Sequence, residues 1–382
     1  MSKMKTNTEF LVQFISSLSM LSMFTYVPYW AFLNGFSNLE IALITVYYGI
    51  SIFFTNLIVG RLSDLVGVRK PFILIGLIIT SVSVLSLGLQ LNFVEFSIAR
   101  IITGIGYGIY IPTLTALVTD KNLKLGKFSG VGTAAWAVGV VISGALGIFW
   151  VPGIFVFSSL VVLGSFFIAF LIKEEKTDTK KYELSSMAVF WERKRYFLSF
   201  IVRHSLASAV WALWPIYLAS LGADEFSIAL IQVLNPVTSS FIMGRITDKI
   251  DSKLMFNIGL LFSGLAFFAY LIAPNWYFIL PAQIILGISW GFIYVGVLRY
   301  AIESSDFDRS TVSGWINSIQ SISVIIGSAF SFVILFLGGT VLDLIIYAGI
   351  GAIIMFVFNF LIDYKGIKMR LIPADKITLE LN

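Results

Sequence analysis

Three observations predict an all-α integral membrane fold, with twelve transmembrane helices in two six-helix bundles related by pseudo-two-fold symmetry. First, the 382 residues are 58% hydrophobic and only 12% charged, against about 25% charged in a soluble domain. Second, uncharged apolar runs recur along the chain, each long enough to cross roughly 30 Å of hydrocarbon as a helix. Third, one charged phrase is written twice: GRLSDLVGVRKP from Gly60 to Pro71 and GRITDKIDSK from Gly244 to Lys253, 184 residues apart. Backbone groups in lipid must be paired within a helix or a closed barrel, and continuous apolar runs without polar alternation select helices.

Charged and turn-forming punctuation places spans at 10–33, 40–60, 71–91, 95–118, 128–149 and 153–172. A second set falls at 197–220, 226–244, 254–273, 276–300, 312–337 and 341–362. The expected organisation is a first bundle over 1–172, a polar cytoplasmic linker over 173–196, and a second bundle with a short cytoplasmic tail over 197–382. The start MSKMKTNTEF leads into the first span without a small-residue cleavage site, so that span reads as retained.

Of the 26 Lys and Arg residues, all but Arg100 and Arg203 fall in the N-terminus, the linker, the tail and alternate loops. The positive-inside rule then puts both termini and the linker in the cytoplasm, as expected of a multi-pass protein of a prokaryotic plasma membrane. This placement explains the formal charge of +5 without nucleic acid. Cysteine is absent and His204 is the only histidine, which excludes the common zinc sites. GVGTAA at 130–135 fits a dinucleotide fingerprint by letter, but it lies in a membrane helix with no preceding strand. No catalytic constellation, phosphate loop or cofactor is expected; the lipid bilayer and a small-molecule substrate are the expected partners.

The repeat extends beyond its opening phrase. IALI at 41–44 returns at 228–231, an offset of 187, and Pro28 matches Pro215 by the same offset. GIGYGIYI at 104–111 faces GISWGFIY at 287–294 at an offset of 183. Two parallel six-helix units with a substrate between them are a transporter architecture. The phrase Gly60-Arg61-Leu62-Ser63-Asp64-Leu65-Val66-Gly67-Val68-Arg69-Lys70-Pro71 resembles the signature of the major facilitator superfamily, and RIITGIGYG, Arg100 to Gly108, resembles that family's second motif. GTAAWAVGVVISGALG only loosely resembles its exporter motif, with Val140 where a Pro is expected.

The resemblance implies a cytoplasmic latch holding the halves together when the cavity opens outward, made by Gly60, Arg61, Asp64, Gly67 and Arg69 and, in the second copy, Gly244, Arg245, Asp248 and Lys253. Gly60 suits a close backbone approach, and Asp64 can pair with Arg61 or Arg69; an exposed pair contributes about 0–1 kcal/mol, weak enough to break. The second copy departs from the pattern at Asp251 and Ser252.

Arg100 sits inside the fourth span, where an Arg costs roughly 2.5–3.5 kcal/mol; Thr103, Gly104 and Tyr107 share its helical face. It reads either as a cavity charge near substrate or as a structural Arg. Arg203 is expected to snorkel to the cytoplasmic surface. The other cavity candidates are Tyr107, Trp136, Trp211, Trp290, Tyr294, Asn235, Asn317 and Gln320, each compatible with packing as well as ligand contact, whereas Tyr29, Trp30 and Trp276 read as interfacial belt. Glu95 and His204 are the candidates for a coupling ion, proton or sodium. None of the 21 Asp and Glu residues lies at a span centre, which disfavours cation/proton antiport and tilts the substrate toward an anionic or neutral organic solute. The expected activity is secondary, non-ATP transport by alternating access in a monomer. A polyspecific drug or lysolipid exporter is the alternative, and a non-transporting receptor or partner subunit the alternative of another class.

Overall fold

The computed structural model describes residues 8–121, 123, 125–174, 186–245, 250–303 and 309–371. Among them the chain runs α1 (Thr8–Leu33), α2 (Asn38–Val66), α3 (Lys70–Leu87), α4 (Phe93–Asp120), α5 (Leu125–Gly147), α6 (Val151–Ala169), α7 (Ser186–Trp211), α8 (Trp214–Ser220), α9 (Glu225–Arg245), α10 (Ser252–Leu271), α11 (Ile279–Glu303), α12 (Arg309–Phe336) and α13 (Val341–Leu371). A 3-10 turn over Trp276–Phe278 leads into α11. Ten of the described helices are long and apolar enough to cross a membrane, and eleven if α7 and α8 form one span.

The expected seventh span is thus two helices, meeting at a 51° bend. Pro215 near the start of α8 has no N–H and clashes with the carbonyl four residues back, which is where α7 stops. Pro28 lies within α1 without splitting it. The α7 helix also begins at Ser186, inside the segment read as linker, and α2 runs on to Val66, so most of the signature phrase is helical.

Acids at the charge-poor end of the bundle have a local task. Ser37 and Glu40 form a capping box on α2, Glu95 accepts from the Asn92 N–H at 3.0 Å at the start of α4, and Asp343 accepts from the Thr340 N–H at 2.7 Å. Asp224 accepts from the Ser227 N–H at 2.7 Å, and hydrogen bonds from the Ser227 hydroxyl and N–H hold its carboxyl below the usual range. A carboxylate there satisfies orphan amides and faces the positive end of the helix dipole. Loss of the cap in Asp224→Ala should cost about 1 kcal/mol, read in a thermal melt. Because the folded-state pKa is depressed, this contribution is present above the unfolded carboxyl's pKa and fades as pH falls through the folded value.

The apolar core has a telling distribution. At the charge-poor end one cluster joins both halves, with Tyr26 and Trp30 of α1, Phe96 of α4, Trp214 of α8, Ile228 of α9 and Leu286 of α11. Toward the charge-rich end the larger clusters each stay within one half. One holds Val12, Ile73, Tyr107 and Leu114 of the first half, and the other Tyr196, Phe256, Ile293 and Ile316 of the second. Among the described residues, apolar packing therefore joins the halves at the charge-poor end and stays within each half toward the charge-rich end.

Candidate functional site

Glycine spacing positions the α4 residues. A Cβ at Gly104 would lie 3.0 Å from the Tyr48 carbonyl, and one at Gly108 would lie 2.7 Å from Thr55 Cβ, so only glycine lets α4 lie this close on α2. That approach sets the Arg100 guanidinium 3.8 Å from the Tyr48 ring centroid. Arg100 is 3% exposed, and its Nε and Nη1 have no hydrogen-bond partner. One turn on, Thr103 donates to the Ala99 carbonyl at 2.8 Å. Tyr107, fully buried, has its hydroxyl 3.2 Å from Ser19 Oγ and its ring 6.4 Å edge-on to Tyr48. A cation–π contact contributes about 0.5–2 kcal/mol, less than the several kcal/mol that burying an ion costs. The arrangement is short of one anionic or hydrogen-bond-accepting partner.

The other cation expected within a span has a partner. Arg203 donates from Nε to Ser263 Oγ at 2.8 Å and is 2% exposed; it does not snorkel. Its partner Ser263 lies on α10, so the guanidinium is held among the helices instead of reaching back to the charge-rich end. His204 stacks on Trp290 with centroids 5.2 Å apart, and Trp290 lies 5.7 Å from Tyr294. These three candidates thus form one aromatic group in the second half.

The remaining candidates are dispersed. Trp136 packs with Val140, Ala229 and Val233 where α5 meets α9. Trp211 stands edge-on to Trp214 at 5.6 Å beside the α7–α8 break. Asn235 and Gln320 are half-buried on α9 and α12, and the side chain of Asn317 lies outside the described residues. Glu95 is exposed and occupied as a cap, so its geometry is that of a helix start.

The signature phrase bolts one half internally. Gly67 ends α2 with φ 73°, in the left-handed region that favours glycine, and its N–H bonds the Ser63 carbonyl. Arg69 donates from Nη1 to Ser63 Oγ at 2.7 Å and from Nε to Asp120 Oδ2 at 3.2 Å. Glu174 receives the backbone N–H groups of Arg69 and Lys70. A Cβ at Gly60 would meet nothing within 4 Å, so the close approach expected there is absent. The side chains of Arg61, Asp64 and Arg245, the surroundings of Gly244, and Asp248 lie outside the described residues. Lys253 sits 5.5 Å from the Tyr300 ring centroid in its own half. A cluster that sequence reading did not single out ties the second half: Asp363 accepts from Arg195, from the Tyr196 hydroxyl at 2.8 Å and from Asn257 Nδ2 at 3.0 Å.

The halves meet through hydrogen bonds at the charge-poor end. The Tyr26 hydroxyl donates to the Glu225 carbonyl at 2.8 Å, and the Tyr29 hydroxyl to Glu225 Oε1 at 3.0 Å. Tyr29 and Trp30, expected as interfacial belt, are 7% and 8% exposed; Tyr29 is claimed by the other half through Glu225, and Trp30 packs on Phe155 of α6. Gln283 on α11 was also unforeseen. It is 1% exposed, with neither Oε1 nor Nε2 hydrogen-bonded, and the 183-residue offset from Arg100 was the signal that could have found it.

Residues 10–328 and 196–371 match the family model described as Major Facilitator Superfamily. Multidrug resistance protein 2 of Bacillus subtilis (strain 168) is 23% identical over 326 residues, covering 78% of this chain and 79% of that protein. The crystal structure of the nucleoside transporter NupG superposes with a TM-score of 0.76 at 10% identity, over 93% of this chain and 98% of that one. A POT family transporter in complex with 5-aminolevulinic acid gives a TM-score of 0.71 at 14% identity, over 94% and 96%. At these identities the solved structures speak to the fold alone.

Proposed function

Since the chain belongs to the major facilitator superfamily, we propose that it is a secondary transporter working as a monomer by alternating access. In this reading α1 completes a set of twelve spans, and the charge-rich end lies in the cytoplasm. The arrangement described is then the state open to the cytoplasm, with Tyr26, Tyr29 and Glu225 closing the outer end. The signature phrase faces its own half in this state, which is compatible with a latch made only when the cavity opens outward.

The substrate is an organic anion. One observation carries this: Arg100 is a buried cation with two unpartnered nitrogens and an aromatic ring as its recorded contact. An ionised group in a span faces a partner or a cavity, and an anion bound there would supply the missing acceptor. The printed name of the Bacillus relative supports a second reading, a polyspecific drug or lysolipid exporter, for which the stack of His204, Trp290 and Tyr294 offers apolar surface.

The test is thermal stability of the full-length protein in detergent against organic anions, sugars, amino acids, lipophilic cations and lysolipids, with Arg100→Gln beside wild type. A ligand at 100 times its Kd stabilises by about 2.7 kcal/mol. Anion-induced shifts that vanish in Arg100→Gln are expected. Shifts by cations or lysolipids that persist in the variant would favour the exporter instead.

A further inference from the structure

Arg100 has a counterpart in the second half. The α4–α2 seam recurs between α11 and α9: a Cβ at Gly287 would lie 2.8 Å from the Asn235 carbonyl, as one at Gly104 would lie 3.0 Å from that of Tyr48. Gly104 and Gly287 are 183 residues apart, and Tyr48 and Asn235 are 187 apart, the offsets of the sequence repeat. The α3–α4 seam repeats likewise, Gly76 meeting the backbone N of Tyr110 and Gly259 that of Ile293 at 2.7 and 2.8 Å. Four residues before Gly104 stands Arg100, and four before Gly287 stands Gln283. The two therefore occupy the same stripe, each facing the second helix of its half.

Both are more than nine-tenths buried and both keep polar atoms without a partner. A buried amide lacking both hydrogen bonds costs about 1–3 kcal/mol per unsatisfied group, so its retention at this one matched position calls for a ligand. Each pair also adjoins a seam between halves. Next to Tyr48, a Cβ at Gly49 would lie 3.3 Å from Ile325 of α12; near Asn235, Val233 packs with Trp136 of α5.

Resting on the anion reading above, we propose that Gln283 is the second pole of the substrate site. Arg100 takes the anionic group, and Gln283 takes an uncharged amide or hydroxyl at the far end of the same molecule, so each half reads one end of the substrate. The substrate class is then an organic monoanion with a distal neutral hydrogen-bonding group. Gln283 is a specificity-determining residue in this scheme, and the charge difference between the two poles sets the orientation in which the molecule binds.

Matched probe pairs test this on the full-length protein: benzoate with para-carbamoylbenzoate, and pentanoate with glutaramate, measured by thermal shift and by uptake into proteoliposomes. Wild type should bind the carbamoyl member of each pair about tenfold more tightly, the worth of a hydrogen bond whose loss leaves a buried group unpaired. Gln283→Met should bind the plain anion as wild type does and lose the tenfold preference, whereas Arg100→Gln should lose both members. The double variant Arg100→Gln with Gln283→Arg should recover anion binding in the reversed orientation, which a merely structural Gln283 would not produce. If the plain anions bind through Arg100 but Gln283→Met keeps the preference, or weakens both members equally, the pairing is overturned and the anion reading stands. If no probe binds wild type, the two fall together.

Discussion

Gly144→Leu is expected to drive the charge-poor end apart. A Cβ at Gly144 would fall on Ala229 Cβ and lie 3.2 Å from the Glu225 carbonyl and 3.1 Å from the Tyr26 hydroxyl. Two of those three neighbours belong to α9, in the opposite half, so the added volume acts on the seam between halves. Overpacking of this kind costs about 1–3 kcal/mol. Here the cost is borne only by the closed arrangement and relieved when the halves separate, so it shifts a population. The chain has no cysteine, which makes paired labels simple to introduce. Spin labels at Asn38→Cys, the first residue of α2, and Tyr277→Cys, in the 3-10 turn before α11, both exposed at that end of either half, should report a longer separation in Gly144→Leu than in the Gly144 parent. An unchanged distance distribution, with unchanged thermal stability, would mean that the α5–α9 seam does not hold the end closed.

Arg100→Met should raise the melting temperature of the ligand-free protein while removing anion-dependent stabilisation. Two nitrogens of the Arg100 guanidinium are buried without partners, so the charge is desolvated, with the Tyr48 ring against it as partial compensation. Replacing buried ionic groups by apolar residues of similar volume is often neutral or stabilising by about 1–4 kcal/mol; the lost cation–π contact returns about 0.5–2 kcal/mol of that. A residue kept against stability is the mark of a functional site. Thermal melting of the purified protein without ligand reads this directly. A variant that melts below wild type would show that bonds within the protein hold Arg100, and the argument for a missing anion would lose its footing.

The long apolar helices, and the place of Arg100 inside one of them, were legible before any coordinates. So was the tight packing promised by the glycines after Arg100, although the same inference made for Gly60 failed. Arg203 was misjudged because its partner, the Ser263 hydroxyl, lies 60 residues away on another helix, where a reading of one span cannot see it. Tyr29 and Trp30 were assigned to the lipid interface because composition cannot distinguish an aromatic facing headgroups from one facing another helix. Gln283 was overlooked because one amide in a long apolar run carries no signal until its partner position is known.

Membrane insertion sums residue by residue along the chain, and topology follows from where the positive charges stop. For that reason the sequence alone determined that this is a helical membrane protein, and how its apolar runs and its repeated phrases are spaced. Which end carries the shared apolar cluster, which span cation has a partner, and that Gln283 and Arg100 both keep unpartnered polar atoms, were decided by the tertiary structure. Those properties depend on which helix faces meet across hundreds of residues, and the free energy of such a contact belongs to the pair and to neither segment by itself.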